Sequence, residues 1–100
     1  MQVIIESPGV HINEKLEKLI HQKFEHFSKI YERITKCTVI LKKEKDDHNK
    51  NHIVEAQLSV SKKLLFASEH DESFEIALQK VIDGLAHQLQ KYKDERQEVR

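Results

Sequence analysis

The chain has 100 residues, of which 38% are hydrophobic and 34% are charged, and its 17 basic and 17 acidic residues give zero net charge. This length fits one domain with a single modest core and excludes a two-domain enzyme. No apolar run approaches the roughly 20 residues that a membrane-spanning helix requires, so a helical span is excluded as well.

The first predicted elements are a short strand and a long helix. Residues 2–6 are rich in β-branched side chains, which is typical of a strand, and the Ser-Pro-Gly sequence at 7–9 ends it. A helix is predicted from about Asn13, a suitable N-cap, because apolar residues then recur at spacings of three and four as far as Ile34.

Three further strands follow the first helix. Alternation of apolar and polar residues predicts strands over 37–42, 53–61 and 64–68. A polar loop over 44–51 separates the second strand from the third, and residues 61–63 are predicted to form a hairpin turn.

A second amphipathic helix is predicted at the end of the chain. The acidic segment 69–73 suits a helix start, and apolar residues then recur with helical spacing from Phe74 to Tyr92. We expect a single domain over residues 1–95 and a disordered C-terminal tail over residues 96–100.

The order β-α-β-β-β-α predicts an α+β fold with a four-stranded mixed sheet and both helices on one face. A right-handed crossover would place the first two strands parallel, and short turns would pair the others antiparallel. The second face of the sheet is then open, and Ile40, Ile53 and Leu65 are predicted to form a small apolar patch there.

Patterns that carry catalytic or metal chemistry are scarce. The sequence has no glycine-rich phosphate loop, nucleophile elbow or metalloprotease histidine pair. The single cysteine, Cys37, is predicted to be a small core residue, and the histidines are interpreted as surface residues. We therefore predict no enzyme activity, catalytic residue, metal, cofactor or small-molecule substrate. The start of the chain lacks a secretory signal, which favours a cytoplasmic protein.

The basic residues suggest a different kind of site. With both helices on one side of the sheet, their polar edges would form a groove that could bind phosphates. The residues predicted to line it are Lys23, Lys29, His87, Lys91 and Lys93. The alternative is a solvated face whose charges are balanced by Glu14, Glu17, Glu25 and Glu32.

Several segments resemble a known family. They are residues 12–34, with Lys23-Phe24 inside; 39–45, with the sequence VILKKEK; Phe66-Ala67-Ser68 before an acidic stretch; and 82–94, with the sequence IDGLAHQLQKYKD. In this order they resemble the ribosome hibernation promoting factors, also called ribosome-associated inhibitors or sigma-54 modulation proteins, in their short form. Where the family commonly has a lysine and an arginine in the second helix, this chain has Gly84 and His87.

The resemblance implies a fold like the double-stranded RNA-binding domain and a translation inhibitor as function. Such a protein binds the small ribosomal subunit in the decoding channel, at the positions of messenger RNA and the A- and P-site transfer RNAs, and inactivates or stores ribosomes by steric occlusion during stress or stationary phase. The resulting prediction for residues that contact ribosomal RNA is Lys23, Lys29, Lys42, Lys45, His87, Lys91 and Lys93.

A protein-interaction module that uses the open sheet face is the alternative function, with weak ribosome binding or none. Self-association is compatible with that face but is not predicted, and neither is a membrane partner.

Overall fold

The computed structural model describes residues 1–45 and 50–98, and it describes side chains as far as Tyr92. Its elements follow the predicted order β-α-β-β-β-α, which is confirmed. They are β1 (Gln2–Glu6), α1 (Glu14–Ile30), β2 (Ile34–Lys43), β3 (His52–Val60), β4 (Lys63–Asp71) and α2 (Phe74–Glu98).

The four strands form one mixed sheet in the order β1-β2-β3-β4. β1 runs parallel to β2, with Val3 opposite Cys37, and this pairing is connected through α1. β3 and β4 pair antiparallel with their neighbours, as short turns require. The predicted mixed sheet with one parallel pair is confirmed.

Both helices cover the same face of the sheet and enclose the core with it. Residues Val54, Ala56, Leu58 and Val60 of β3 alternate with more exposed neighbours and are buried on that face, as their spacing predicted. Cys37 is 0% exposed, and burial raises the pKa of its thiol to about 12. It therefore packs as a small core residue, which confirms the prediction.

Side-chain caps begin the two helices. The Asn13 side-chain oxygen accepts the Leu16 backbone N–H at 2.8 Å, which confirms the predicted N-cap of α1. The Ser73 hydroxyl accepts the Ile76 N–H at 3.2 Å at the start of α2. Each cap satisfies one backbone donor that has no partner inside the helix.

Helix α1 ends earlier than its apolar spacing predicted. Tyr31 has an extended backbone, and its N–H makes the last bond, to the Phe27 carbonyl at 3.1 Å. Ile34 already belongs to β2 and is buried there. The prediction was wrong because Ile34, which faces the core from β2, also continues the spacing of the apolar residues of α1.

Strand β4 is longer than predicted, and the acidic segment at 69–73 was wrongly assigned to a helix start. Glu69 pairs with Val54 and Asp71 with His52 in the ladder of β3 and β4. Polar residues are tolerated in this strand because it lies at the edge of the sheet and one of its faces is open.

The turn between β3 and β4 was predicted correctly, although Lys63 already belongs to β4. Ser61 and Lys62 have φ angles of 42° and 48°, and positive φ at both central residues is the requirement of a type I′ hairpin turn. Asn and Gly usually occupy such positions, because the left-handed region costs other residues about 1–2 kcal/mol each. The turn therefore retains strain at its two central residues.

The open face of the sheet differs from the prediction at one residue. Leu65 pairs with Leu58 and is only 5% exposed, so it faces the core. Its neighbours Leu64 and Phe66 point the other way and are 61% and 55% exposed. One residue of register moves a side chain to the opposite face of a strand.

Two predicted segments, the C-terminal tail and the loop over 44–51, are only partly covered by the described residues. Helix α2 extends to Glu98, past the expected domain boundary at residue 95, and residues 99 and 100 lie outside the described residues. The disordered tail therefore stays a prediction. The predicted loop over 44–51 includes residues 46–49, which also lie outside. In the part of the chain that is described, neither helix is apolar enough over a sufficient length to cross a membrane.

Candidate RNA-binding surface

Lys23 lies between the two helices and joins them. Its side chain is half-buried on α1, and its Nζ donates to the Oε1 of Gln79 on α2 at 2.7 Å. Gln79 in turn donates to the Oδ1 of Asp83 at 3.0 Å. An ammonium group has three donors, so Lys23 can hold this contact and still donate to a phosphate above the groove.

Helix α2 has two different flanks. Gln79 marks the flank that faces α1, whereas the amide of Gln88 donates to the Phe66 carbonyl of β4 at 2.8 Å. Lys91 is exposed and lies about one turn after Gln88, on the same flank, whereas His87 is exposed one turn after Asp83, on the outer surface of α2 between the two flanks. Lys91 therefore extends from the β4 side of α2 and not into the groove between the helices.

The predicted groove is therefore corrected. Lys23 lies inside it, whereas Lys91 lies on the β4 side of α2. His87 is exposed on the outer surface of α2, and Lys29 is exposed on the outer face of α1 in its last turn. The side chain of Lys93 lies outside the described residues. The prediction failed because it placed every polar residue of α2 towards α1, although a helix that covers a sheet has two polar borders.

Lys42 lies on the opposite face of the molecule. It extends from the open face of β2, where its Nζ is 3.0 Å from the Oε1 of Glu55 on β3. The side chains of Lys42 and Glu55 are 45% and 23% exposed, so the pair borders the solvent. Lys45 follows the end of β2 and is exposed.

Several exposed basic residues lie outside the predicted site. Lys62 and Lys63 lie at the turn between β3 and β4, and Lys36 lies on β2 beside it. Arg33 follows α1 in the turn before β2. Tracing the strand directions from turn to turn would have brought these residues together.

Other titratable groups serve the fold. The imidazole of His52 packs edge-on against the Phe74 ring, with centroids 4.7 Å apart, and its Nδ1 is buried without a hydrogen-bond partner. Burial, followed by the nearby Lys43 charge, lowers the pKa of His52, whereas Glu75 acts to raise it. Among the described residues, no three His, Cys, Asp or Glu side chains are grouped in a way that could hold a metal ion.

Comparison with known proteins finds similarity over nearly the whole chain. Residues 3–97 match the family described as sigma 54 modulation protein / S30EA ribosomal protein. The chain is 35% identical over 94 residues to the ribosome hibernation promoting factor of Salmonella typhimurium, and the match covers 94% of this chain and 95% of that protein. The protein of the same name from Escherichia coli strain K12 is 34% identical with the same coverage.

Solved structures share the fold. The ribosomal subunit interface protein from Coxiella burnetii superimposes with a TM-score of 0.84 at 22% identity, over 94% of this chain and 99% of that one. The N-terminal domain of Protein Y from Thermus thermophilus gives a TM-score of 0.70 at 16% identity, over 91% and 94%. With the fold and the sequence in agreement over almost its full length, the chain belongs to the sigma 54 modulation protein / S30EA ribosomal protein family.

Proposed function

We propose that this protein inhibits translation by binding the small ribosomal subunit and inactivating or storing ribosomes during stress or stationary phase. The observation that carries the proposal is the 34–35% identity, over 95% of their length, to proteins named ribosome hibernation promoting factors. The shared fold with a ribosomal subunit interface protein supports it.

The mechanism we propose is steric occlusion of the decoding channel, at the positions of messenger RNA and the A- and P-site transfer RNAs. Occlusion requires a rigid body of suitable size and surface cations that hold it against RNA. A four-stranded sheet packed under two helices supplies the rigid body. Lys23 in the helical groove, Lys42 on the open face and Lys91 on the β4 flank supply cations on three sides.

This distribution supports binding inside a channel better than binding to a flat surface. A protein lodged in a channel is contacted on several sides, so its cations need not share one face. The predicted set of RNA contacts remains Lys23, Lys29, Lys42, Lys45, His87, Lys91 and Lys93, now understood as separate positions around the domain.

Co-sedimentation tests the proposal directly. Purified protein is centrifuged with separated small and large ribosomal subunits at several salt concentrations, with and without transfer RNA bound beforehand. We expect binding to the small subunit that weakens with salt and is blocked by bound transfer RNA. Binding to the large subunit alone would contradict the proposed partner, and binding that transfer RNA leaves unchanged would contradict occlusion.

The exposed apolar side chains of the open sheet face favour a second candidate function. Leu64 and Phe66 are more than half exposed, and large exposed apolar residues on one face are typical of protein contacts. On this alternative the domain binds a protein partner through the sheet. It predicts an association that resists salt and occurs without RNA, which sedimentation velocity in high salt would detect.

A further inference from the structure

Four basic residues outside the predicted site, Arg33, Lys36, Lys62 and Lys63, lie at one end of the molecule. The sheet register places the start of β2, the end of β3 and the start of β4 at the same end, because Ile34 and Lys63 both pair with Val60. Helix α1 ends there, since only three residues separate Ile30 from β2. Helix α2 starts at the opposite end of the molecule, after β4, and runs towards the end where α1 finishes.

We call this region the cationic end. Its described basic side chains come from five separate segments, and all of them are exposed. They are Lys29, Arg33, Lys36, Lys62, Lys63 and Lys91. Among the described side chains of this end, Glu32 alone is acidic.

The opposite end carries basic and acidic residues in similar numbers. It holds the starts of α1, β3 and α2 and the ends of β2 and β4. Its acidic residues include Glu14, Asp71, Glu72 and Glu75, and its basic residues are Lys15, Lys18, Lys42, Lys43, Lys45, Lys50 and Lys80. Several of its charges are already paired: Lys18 with Glu14 at 3.3 Å, and Lys80 with Asp71. The zero net charge of the chain therefore conceals an uneven distribution of charge, with a local excess of cations at one end.

One contact and one backbone conformation fix the hairpin of the cationic end. The Lys63 Nζ lies 5.1 Å from the centroid of the Tyr92 ring, which joins the hairpin to α2 beside Lys91. Lys62 occupies a left-handed backbone position in the turn, where glycine would be favoured, and its side chain is exposed. The hairpin thus presents two adjacent cations at a fixed position next to the second helix.

We propose that the cationic end binds RNA phosphates, with Lys62 and Lys63 of the hairpin acting together with Lys91. This inference rests on the proposed function, because it names the part of the domain that contacts ribosomal RNA. Each exposed lysine that contacts a phosphate releases counterions and adds to the salt dependence of binding.

The variant Lys62→Gly separates binding from stability. It removes a cation and also relieves the left-handed strain, so we expect its unfolding midpoint to rise while binding to small ribosomal subunits weakens about fivefold at moderate salt. We expect the slope of log K against log salt to fall by about one. Lys63→Gln should act in the same direction, and Lys63→Arg should keep both the charge and the contact with Tyr92.

Lys18→Gln is the matched control, since it removes one exposed lysine from the opposite end. It should leave both affinity and salt slope unchanged. If the unaltered protein binds small subunits and Lys62→Gly binds with the same affinity and slope, the inference is overturned and the proposed function stands. Weaker binding with an unchanged slope would assign these lysines to a contact other than phosphate and would overturn the inference as well. If the unaltered protein does not bind small subunits at all, the proposed function itself fails.

Discussion

The residue that links strand β4 to helix α2 is Asp71. It is 6% exposed, its carboxylate accepts the backbone N–H of Glu72 at 2.8 Å, and it pairs with the ammonium group of Lys80. The hydrogen bond from Lys80, followed by that from Glu72, lowers the pKa of Asp71 from its usual 3.8. The same pair raises the pKa of Lys80 above 10.5.

Because the pKa of Asp71 is lower in the folded than in the unfolded protein, the pair stabilises the fold at pH values above 3.8. That stabilisation is lost as the pH falls through the folded value. We expect Asp71→Asn to lower the denaturant midpoint at pH 7, and we expect its difference from the unaltered protein to shrink as the pH falls below 3.8. Urea unfolding at pH 7 and pH 3 measures both effects.

Glu72→Gln is the control for this prediction. It changes the neighbouring exposed carboxylate and retains the backbone N–H that Asp71 accepts. Its midpoint should stay close to that of the unaltered protein at both pH values. An Asp71→Asn difference of the same size at pH 3 and pH 7 would show that the ionised carboxylate is not the stabilising species.

At the scale of elements, helix α2 contains a glycine in its interior. Gly84 lies over β4, and a Cβ built on it would meet the Cβ of Ala67 at 3.9 Å, which is ordinary van der Waals contact. An alanine would therefore fit and would lose less backbone entropy on folding. We expect Gly84→Ala to stabilise the domain by about 0.5–1 kcal/mol in chemical denaturation. It should not change ribosome binding, since it adds no charge. A lower stability would show that the close approach of α2 to β4 requires glycine.

The helices and strands themselves were largely predictable, because the side chains that face the core recur with the spacing of a helix or of a strand. The two errors in element boundaries arose where the same residue pattern fits both a helix and a strand. Ile34 continues the helical spacing of α1 but lies in β2, and Glu69 looks like a helix start but lies in an edge strand. In both places the spacing of apolar or acidic residues fits two structures, and only the tertiary contacts decide between them.

At the scale of the whole molecule, the predicted site was less accurate than the fold. Sequence spacing identified Lys23 and Lys91 as polar-edge residues, but it could not show that Lys23 of α1 contacts one flank of α2 whereas Lys91 lies on the other flank. That difference depends on how the helix is rotated over the sheet, which the contact of Gln88 with β4 fixes. The cationic end was missed because its residues are distant in sequence and meet only when the direction of every strand is considered together.

The distribution of charge matters more for binding than the sum of charges. The 17 residues of α1 alone span about 25 Å between the two ends, at a rise of about 1.5 Å per residue. Electrostatic interactions between exposed charges are screened over about 10 Å at 0.1 M salt. A phosphate at the cationic end is therefore little affected by the carboxylates at the other end, and zero net charge does not oppose RNA binding.

Two double variants that keep the net charge at zero test this argument. Lys62→Gln with Glu17→Gln reduces the excess of cations at the cationic end, whereas Lys18→Gln with Glu17→Gln removes both charges from the start of α1 and leaves the cationic end intact. We expect the first to bind small ribosomal subunits about fivefold more weakly and with a smaller salt slope, and the second to bind like the unaltered protein. Both variants share the loss of Glu17 at the start of α1, so its small effect on helix stability cancels in the comparison. Equal binding by the two variants would show that the total charge, and not its position, governs association.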